Sequence, residues 1–142
     1  MILLDVNILV YSFREDAPEH ARFRGWLESV VSAQSDFATA DLILSGFLRV
    51  VTHPRVFNPP APLETALEFA NALRSQPNCI SLSPADRHWE VFERLCRASG
   101  ARGNLIPDAY IAALAIESGS ELVTTDRDFS RFPGLAWRPP DL

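Results

Sequence analysis

An α/β fold built on a parallel sheet is what this chain predicts, and three observations predict it. Short apolar runs alternate with longer amphipathic segments from one end to the other. The short runs are four residues or so, rich in branched and small apolar side chains, as buried parallel strands are. Acidic residues stand just after such runs or at helix starts, where open α/β sheets gather functional groups. These acids are Asp5, Asp108, Asp126 and Asp128.

The elements follow in order. Residues 2–5 read as a buried strand, and Asn7 is expected to cap a short helix through about Phe13. Pro18 opens a second helix to about Ala33, with Phe23, Trp26, Leu27 and Val30 on one face. Phe37 to Ala40 form the second strand, and Asp41 is expected as the cap of a helix through about Thr52. Residues 53–62 carry Pro54, Pro59, Pro60 and Pro62 and read as loop. Leu63, Ala66, Leu67, Ala70 and Leu73 mark the apolar face of the next helix. Cys79 to Leu82 form a third strand. Ser83-Pro84 starts a helix with Trp89, Phe92 and Cys96 on one side. After Gly100 and Gly103, residues 106–118 are helical and apolar nearly all round. Glu121 to Thr124 make a fourth strand, followed by a helical turn and an edge strand over 135–137. No repeat and no linker interrupt this run, so residues 1–142 are expected to form a single domain.

Composition narrows the function classes. The chain has 142 residues, of which 47% are hydrophobic and 22% charged, the balance of a globular protein with a core. No apolar run reaches membrane-spanning length, and no basic stretch precedes Ile2, so a cytoplasmic protein without membrane contact is expected. Cys79 and Cys96 have no metal-type spacing and read as buried reduced thiols. His20, His53 and His88 are too scattered for a zinc set, and there is no glycine-rich phosphate loop or nucleophile elbow. The net charge of −5 is unlike that of a nucleic-acid binder, but acidic clusters that need a cation produce the same balance. All 13 basic residues are arginine, which grips phosphate in a bidentate manner; a GC-rich genome yields the same bias.

Carboxylates gathered at one sheet edge repel each other unless a hard cation lies between them. Mg²⁺ or Mn²⁺, with oxygen ligands and retained waters, suits such a place. Each acid also has a purely structural reading. Asp5 and Asp41 have helix caps as alternatives, Asp108 a favourable place at a helix start, and Asp126 an Asx-turn. In Asp126-Arg127-Asp128 one side chain is expected to face solvent. Asp5, Asp108 and Asp126 appearing together at the ends of three separate elements is the stronger signal.

The segments Leu4-Asp5-Val6-Asn7-Ile8-Leu9, Pro107-Asp108-Ala109-Tyr110-Ile111-Ala112-Ala113-Leu114-Ala115 and Val123-Thr124-Thr125-Asp126-Arg127-Asp128-Phe129 together resemble a PIN domain. More narrowly, the chain is similar to VapC-type toxins of bacterial toxin–antitoxin pairs. Phe47-Leu48-Arg49-Val50-Val51-Thr52-His53-Pro54-Arg55-Val56-Phe57 resembles the mycobacterial branch. The resemblance implies a PIN-like parallel sheet of four to five strands flanked by helices on both faces. It implies a magnesium-dependent endoribonuclease (Mn²⁺ substituting) that cuts structured RNA such as a tRNA or rRNA loop. It also implies a small VapB-like antitoxin that blocks the groove, and a homodimer.

By that resemblance Asp5, Asp108 and Asp126 are the metal and catalytic positions. Asn7, Asp41, Thr124 and Asp128 are candidates for supporting roles; Thr124 also reads as strand filler. Arg49, Arg55, Arg102 and Arg127 are candidates for contact with the RNA backbone. One departure stands out. The family's usual glutamate on the helix after the second strand falls at Gly46. Asp41 is five residues away, a turn of roughly 140° on a helix, so it cannot stand in, whereas Ser45 shares its face. The alternative reading is therefore a degenerate module that binds an antitoxin-like partner or RNA without cutting. A phosphoacceptor domain would need a late lysine, and an Asp-x-Asp phosphatase an acid at position 7; this chain has neither.

Overall fold

The computed structural model describes all 142 residues. The strands are β1 (Ile2–Leu4), β2 (Phe37–Ala40), β3 (Cys79–Leu82), β4 (Glu121–Val123) and β5 (Trp137–Arg138). The helices are α1 (Val6–Phe13), α2 (His20–Ser32), α3 (Asp41–Val51), α4 (Leu63–Arg74), α5 (His88–Ser99) and α6 (Leu105–Ser118), with a 3-10 turn over Arg127–Arg131. No helix is long and apolar enough to cross a membrane.

All five strands are parallel, in the order β3-β2-β1-β4-β5. Leu3 and Leu4 pair with Leu122 and Val123, and all four are buried. The order has a consequence. From β1 the chain moves outward to β2 and β3, then crosses back to β4 on the other side of β1. Right-handed crossovers in opposite directions put their helices on opposite faces. In agreement, α1 packs on α2 and α3, and α3 on α4, whereas α5 packs on α6. The sheet therefore reverses between β1 and β4, and a crevice opens beyond their carboxyl ends.

Three helices begin at that edge. α1 and α3 start directly after β1 and β2, and α6, which returns the chain to β4, must start there too. Pro107 is tolerated in the first turn of α6, where N–H groups have no helical partner. Gly119, at φ +70°, ends α6 in the left-handed conformation that glycine adopts freely.

Several local expectations are corrected. Asn7 does not cap α1; Asp5 does, its Oδ1 accepting from Val6 N–H at 2.8 Å, because the chain turns from strand into helix without a spacer. Asp41 is not a cap either. It is the first residue of α3, while Ala40 holds the extended cap conformation with no side-chain bond. α2 begins at His20 rather than Pro18, after Glu19 takes a positive φ of 57°. α5 begins at His88, because Glu117 binds the Ala85 and Arg87 N–H groups and holds the preceding segment as a loop. Its inner face is His88, Val91 and Leu95, and Trp89 points outward at 66% exposure. The edge strand lies at 137–138, not 135–137. Cys79 and Cys96 are free but only half-buried.

α1, α3 and α4 are joined by an aromatic triad. Phe47 is fully buried, with ring centroids 5.3 Å from Phe13 and 5.2 Å from Phe69. Since α3 carries one wall of the crevice, this packing sets where that wall stands. Phe47→Ala is expected to lower unfolding free energy by about 3–5 kcal/mol, as deletion of a buried aromatic does. Urea denaturation followed by circular dichroism measures it, and a loss under about 1 kcal/mol would show that the triad does not hold α3.

Candidate active site

The crevice predicted by the strand order is a cleft of about 600 Å³. Asp5, Asn7, Asp108 and Asp126 line it, from β1–α1, α6 and the turn after β4. Ser45, Gly46 and Arg49 come from α3, and Val10 and Tyr11 from α1. Val56 and Phe57 come from the loop after α3. Thr124 lies fully buried beneath this floor. Asp128 is exposed and does not line the cleft; its backbone N–H caps Asp126 Oδ1 at 2.9 Å. Asp41 turns away as well, with its side chain 81% exposed and paired with Arg74 at 3.3 Å. Of the candidate arginines, Arg49 lines the cleft, and Arg55, Arg102 and Arg127 do not.

Asp5 is held before any ligand arrives. Its Oδ2 accepts from the Thr124 hydroxyl at 2.6 Å and from the Asn7 amide at 3.2 Å. Thr124 Oγ1 also accepts from Asn7 Nδ2 at 3.1 Å and from Asp126 N–H at 3.0 Å. One donated and two accepted bonds use the whole capacity of a hydroxyl. Asn7 Oδ1 closes the network on Thr125 N–H at 3.2 Å. The sequence named Asn7 and Thr124 as candidates for supporting roles but favoured strand filling for Thr124, which instead is the hub. The signal available was the polar pair Thr124-Thr125 at a buried strand end, where a hydroxyl has to find partners.

The charges are not balanced. Burial raises the Asp5 carboxyl above its ordinary value, against the bonds from Thr124 and Val6 that favour the charged form. Asp108 is pushed up to about 7, first by burial and then by the negative charges of Asp5, Asp126 and Asp128. The donor set thus suits a divalent cation, whose binding would relieve the repulsion. The carboxylates do not, however, close around one point as a three-ligand cage. Oxygen donors of this kind fit a hard divalent cation that keeps some of its waters.

Gly46 is explained by packing. A Cβ there would stand 3.0 Å from Val6 Cγ2, so α3 approaches the start of α1 at a distance that suits glycine. A glutamate at this position would require Val6 to move.

Comparisons with known proteins agree with the fold. A family model described as "PIN domain" matches residues 2–135. VapC ribonuclease Mb2897 of Mycobacterium bovis is 41% identical over 140 residues, covering 99% of this chain and 95% of that protein. Ribonuclease VapC25 of Mycobacterium tuberculosis is 38% identical over 141 residues, covering 99% of each. Among solved structures, VapBC2 of Rickettsia felis bound to a promoter DNA fragment superposes with a TM-score of 0.70 at 23% identity, covering 99% of this chain and 100% of that one. VapC20 of Mycobacterium tuberculosis, described as a sarcin–ricin loop cleaving toxin, gives 0.66 at 17% identity, covering 92% of this chain and 93% of that one.

Two outcomes are expected here. Thr124→Val keeps the shape but strips Asp5, Asn7 and Asp126 of a shared partner. It should cost about 1–3 kcal/mol of stability, the penalty for buried polar groups left unpaired. A melting temperature equal to wild type would show that the network is slack. The second concerns pH. In metal-free protein the folded state holds the Asp108 proton more tightly than the unfolded chain does. Stability from this group is therefore present below its ordinary value of 3.8 and is lost as pH rises through about 7. Asp108→Asn should melt higher than wild type at pH 8 and show a flatter decline above pH 4, read by differential scanning calorimetry with chelator present. Parallel profiles for the two proteins would contradict the charge imbalance.

Proposed function

The chain belongs to the PIN-domain family and, within it, to the VapC ribonucleases, and on that premise we propose that residues 1–142 act as one nuclease domain, the toxin of a VapBC-like toxin–antitoxin pair. Its reaction is endonucleolytic cleavage of structured RNA, such as a tRNA or rRNA loop. The observation that carries this reading is the cleft at the sheet reversal, with Asp5, Asp108 and Asp126 on its lining and the Asp108 carboxyl raised by burial and by the neighbouring acids.

PIN-domain ribonucleases of this kind depend on a metal, and Mg²⁺, replaceable by Mn²⁺, is the ion proposed for Asp5, Asp108 and Asp126. When bound, it supplies a Lewis acid that neutralises phosphate charge and acidifies water. The chain's own residues do the rest. Asp5 is fixed by Thr124, Asn7 and the Val6 N–H, so its carboxylate keeps one orientation. Asp108, its carboxyl raised to about 7 by burial and the neighbouring acids, would be held in its charged form by positive charge in the cleft. Asp126, anchored by Asp128 N–H through Oδ1, would orient the attacking water with its other oxygen. Arg49 is the cation on the lining and would pair with a phosphate flanking the scissile one. In-line attack by water leaves a 5′-phosphate and a 3′-hydroxyl.

The partners under this reading are RNA, a small VapB-like antitoxin, and a second copy of the chain, all in the cytoplasm. Gly46 is the observation that favours a second reading, a module that binds without cutting, since it leaves the cleft without a fourth acid. Sequencing of RNA 5′ ends from cells briefly expressing wild type or Asp108→Asn separates the two. One dominant new 5′-phosphate end, seen with wild type alone, is expected, and it names the target. Unchanged ends with folded wild-type protein present would move the assignment to the non-cutting module. Equal cleavage by folded Asp108→Asn would remove Asp108 from the mechanism.

A further inference from the structure

By element, the cleft lining has two chemically different halves. Asp5, Asp108 and Asp126 come from the carboxyl edge of β1 and β4 and the first turn of α6; Val10, Tyr11, Val50, Val56 and Phe57 come from the later turns of α1, the end of α3 and the loop after it. The acidic half suits a phosphate with its cation. The part of a polynucleotide that suits the apolar half is a base, and a base is free to enter only from a loop or single strand.

Phe57 is the largest apolar group on this wall that is not on a helix, and it belongs to a segment without regular structure between α3 and α4. The turn at its start is closed by Val56 and Phe57 N–H bonds to His53 O, and its end by Ala61 N–H to Val51 O. The hydrogen bond that reaches the residues between comes from Arg14. Its Nη2 donates to Pro59 O at 3.1 Å, and its Cζ lies 4.3 Å from the centroid of the Phe57 ring. Asp16 orients the guanidinium from behind, accepting from Nε at 2.8 Å and from Nη2 at 2.6 Å. This arginine is not an ordinary surface pair. Its side chain is 12% exposed, whereas the other ion-paired arginines range from 35% to 73%. It is also the residue that ends α1, the helix whose other end is capped by Asp5. One eight-residue helix, roughly 12 Å long, thus fixes an acid at its start and the latch of the apolar wall at its finish.

We infer that Arg14, although outside the cleft, is a positioning residue for substrate: by clamping Phe57 it shapes an apolar seat for one unpaired base next to the scissile phosphate. This rests on the ribonuclease reading above and adds to it a base-binding half and the residue that holds it.

Arg14→Lys keeps the charge and loses the planar fork and the stack. Phe57→Leu keeps an apolar side chain and loses the ring. The probe is a short fluorescent single-stranded RNA carrying the mapped cleavage sequence. It is used for steady-state kinetics and, in the Asp108→Asn background, for binding by fluorescence anisotropy. Each variant is expected to raise KM and Kd about tenfold with kcat within about twofold, the signature of lost binding rather than lost chemistry. The double variant should be no worse than either single one, because both break the same seat. Hydrogen exchange at residues 53–61 should quicken in Arg14→Lys while the strands keep wild-type protection. Annealing the probe to its complement should weaken binding.

Unchanged KM and Kd in folded Arg14→Lys would overturn the inference. So would a fall in kcat alone, full additivity in the double variant, or equal affinity for the duplex. If Arg14→Lys does not fold, Phe57→Leu decides, and wild-type KM and Kd in it would overturn the seat. Wild-type protein that neither binds nor cuts single-stranded RNA would overturn the ribonuclease reading itself, an outcome distinct from normal cleavage with a silent Arg14.

Discussion

The hydrogen bond from Thr124 to Asp5, 2.6 Å long and buried, is the joint on which the site depends. It ties the ends of the two strands between which the sheet reverses. Strand pairing alone brings β1 and β4 side by side, but it leaves the residues beyond them free to splay. Thr124 removes that freedom, since its single hydroxyl bonds side chains or backbone of Asp5, Asn7 and Asp126 together. A carboxylate that is 4% exposed would otherwise be a source of disorder or would simply take up a proton. Held in this way it is preorganised, and no reorganisation is needed when a charged ligand arrives.

The arrangement is costly in electrostatic terms. Burial and neighbouring acids raise both Asp5 and Asp108, so the folded chain carries repulsion that the unfolded chain does not. Arginines are available to relieve it, yet Arg14, Arg22, Arg24, Arg74, Arg97 and Arg138 are paired with acids elsewhere. Arg49 lines the cleft without an ion pair to any of its acids. A protein optimised for stability alone would neutralise this cluster. Stored repulsion of this kind, at the cleft proposed for a cation and a phosphodiester, is an exchange of stability for function. It also resolves an apparent contradiction in the composition, where a net charge of −5 sits on a chain that handles RNA. Three of the 18 acids, Asp5, Asp108 and Asp126, line the cleft, where the proposed cation would intervene.

How legible all this was in the sequence depended on whether a feature was local. Asp5, Asp108 and Asp126 were legible because strand ends and helix starts can be found by short-range pattern. Topology then carries them to one edge. The capping role read for Asn7 failed for the opposite reason, while its supporting role beside the acids stands on its bond to Asp5. Capping is a local rule, and the amide is instead drawn into bonds with Thr124 and Thr125, more than a hundred residues away. Asp41 obeyed neither its capping rule nor its supporting role, since Arg74 on α4 takes it. Trp89 was grouped with Phe92 and Cys96 on one side of α5, but the inner place at that end is held by His88 through its bond to Tyr110 O. Gly46 looked like a missing acid. Only the packed structure shows the Val6 methyl that a side chain there would meet.

That contact connects the two halves of the cleft. α1 is short, and it is held at three places: Asp5 at its start, the Phe13 ring against Phe47 and Phe69, and Arg14 at its end. Glycine at 46 lets α3 come close to the start of α1, while the aromatic triad fixes their separation at the other end. The width of the cleft is therefore a property of the α1–α3 pair and not of the sheet. The sheet decides where the acids stand. The helix pair decides how far from them the apolar wall stands, and so what size of group fits between. A single polynucleotide strand, with a phosphate for one half and a base for the other, meets both conditions at once.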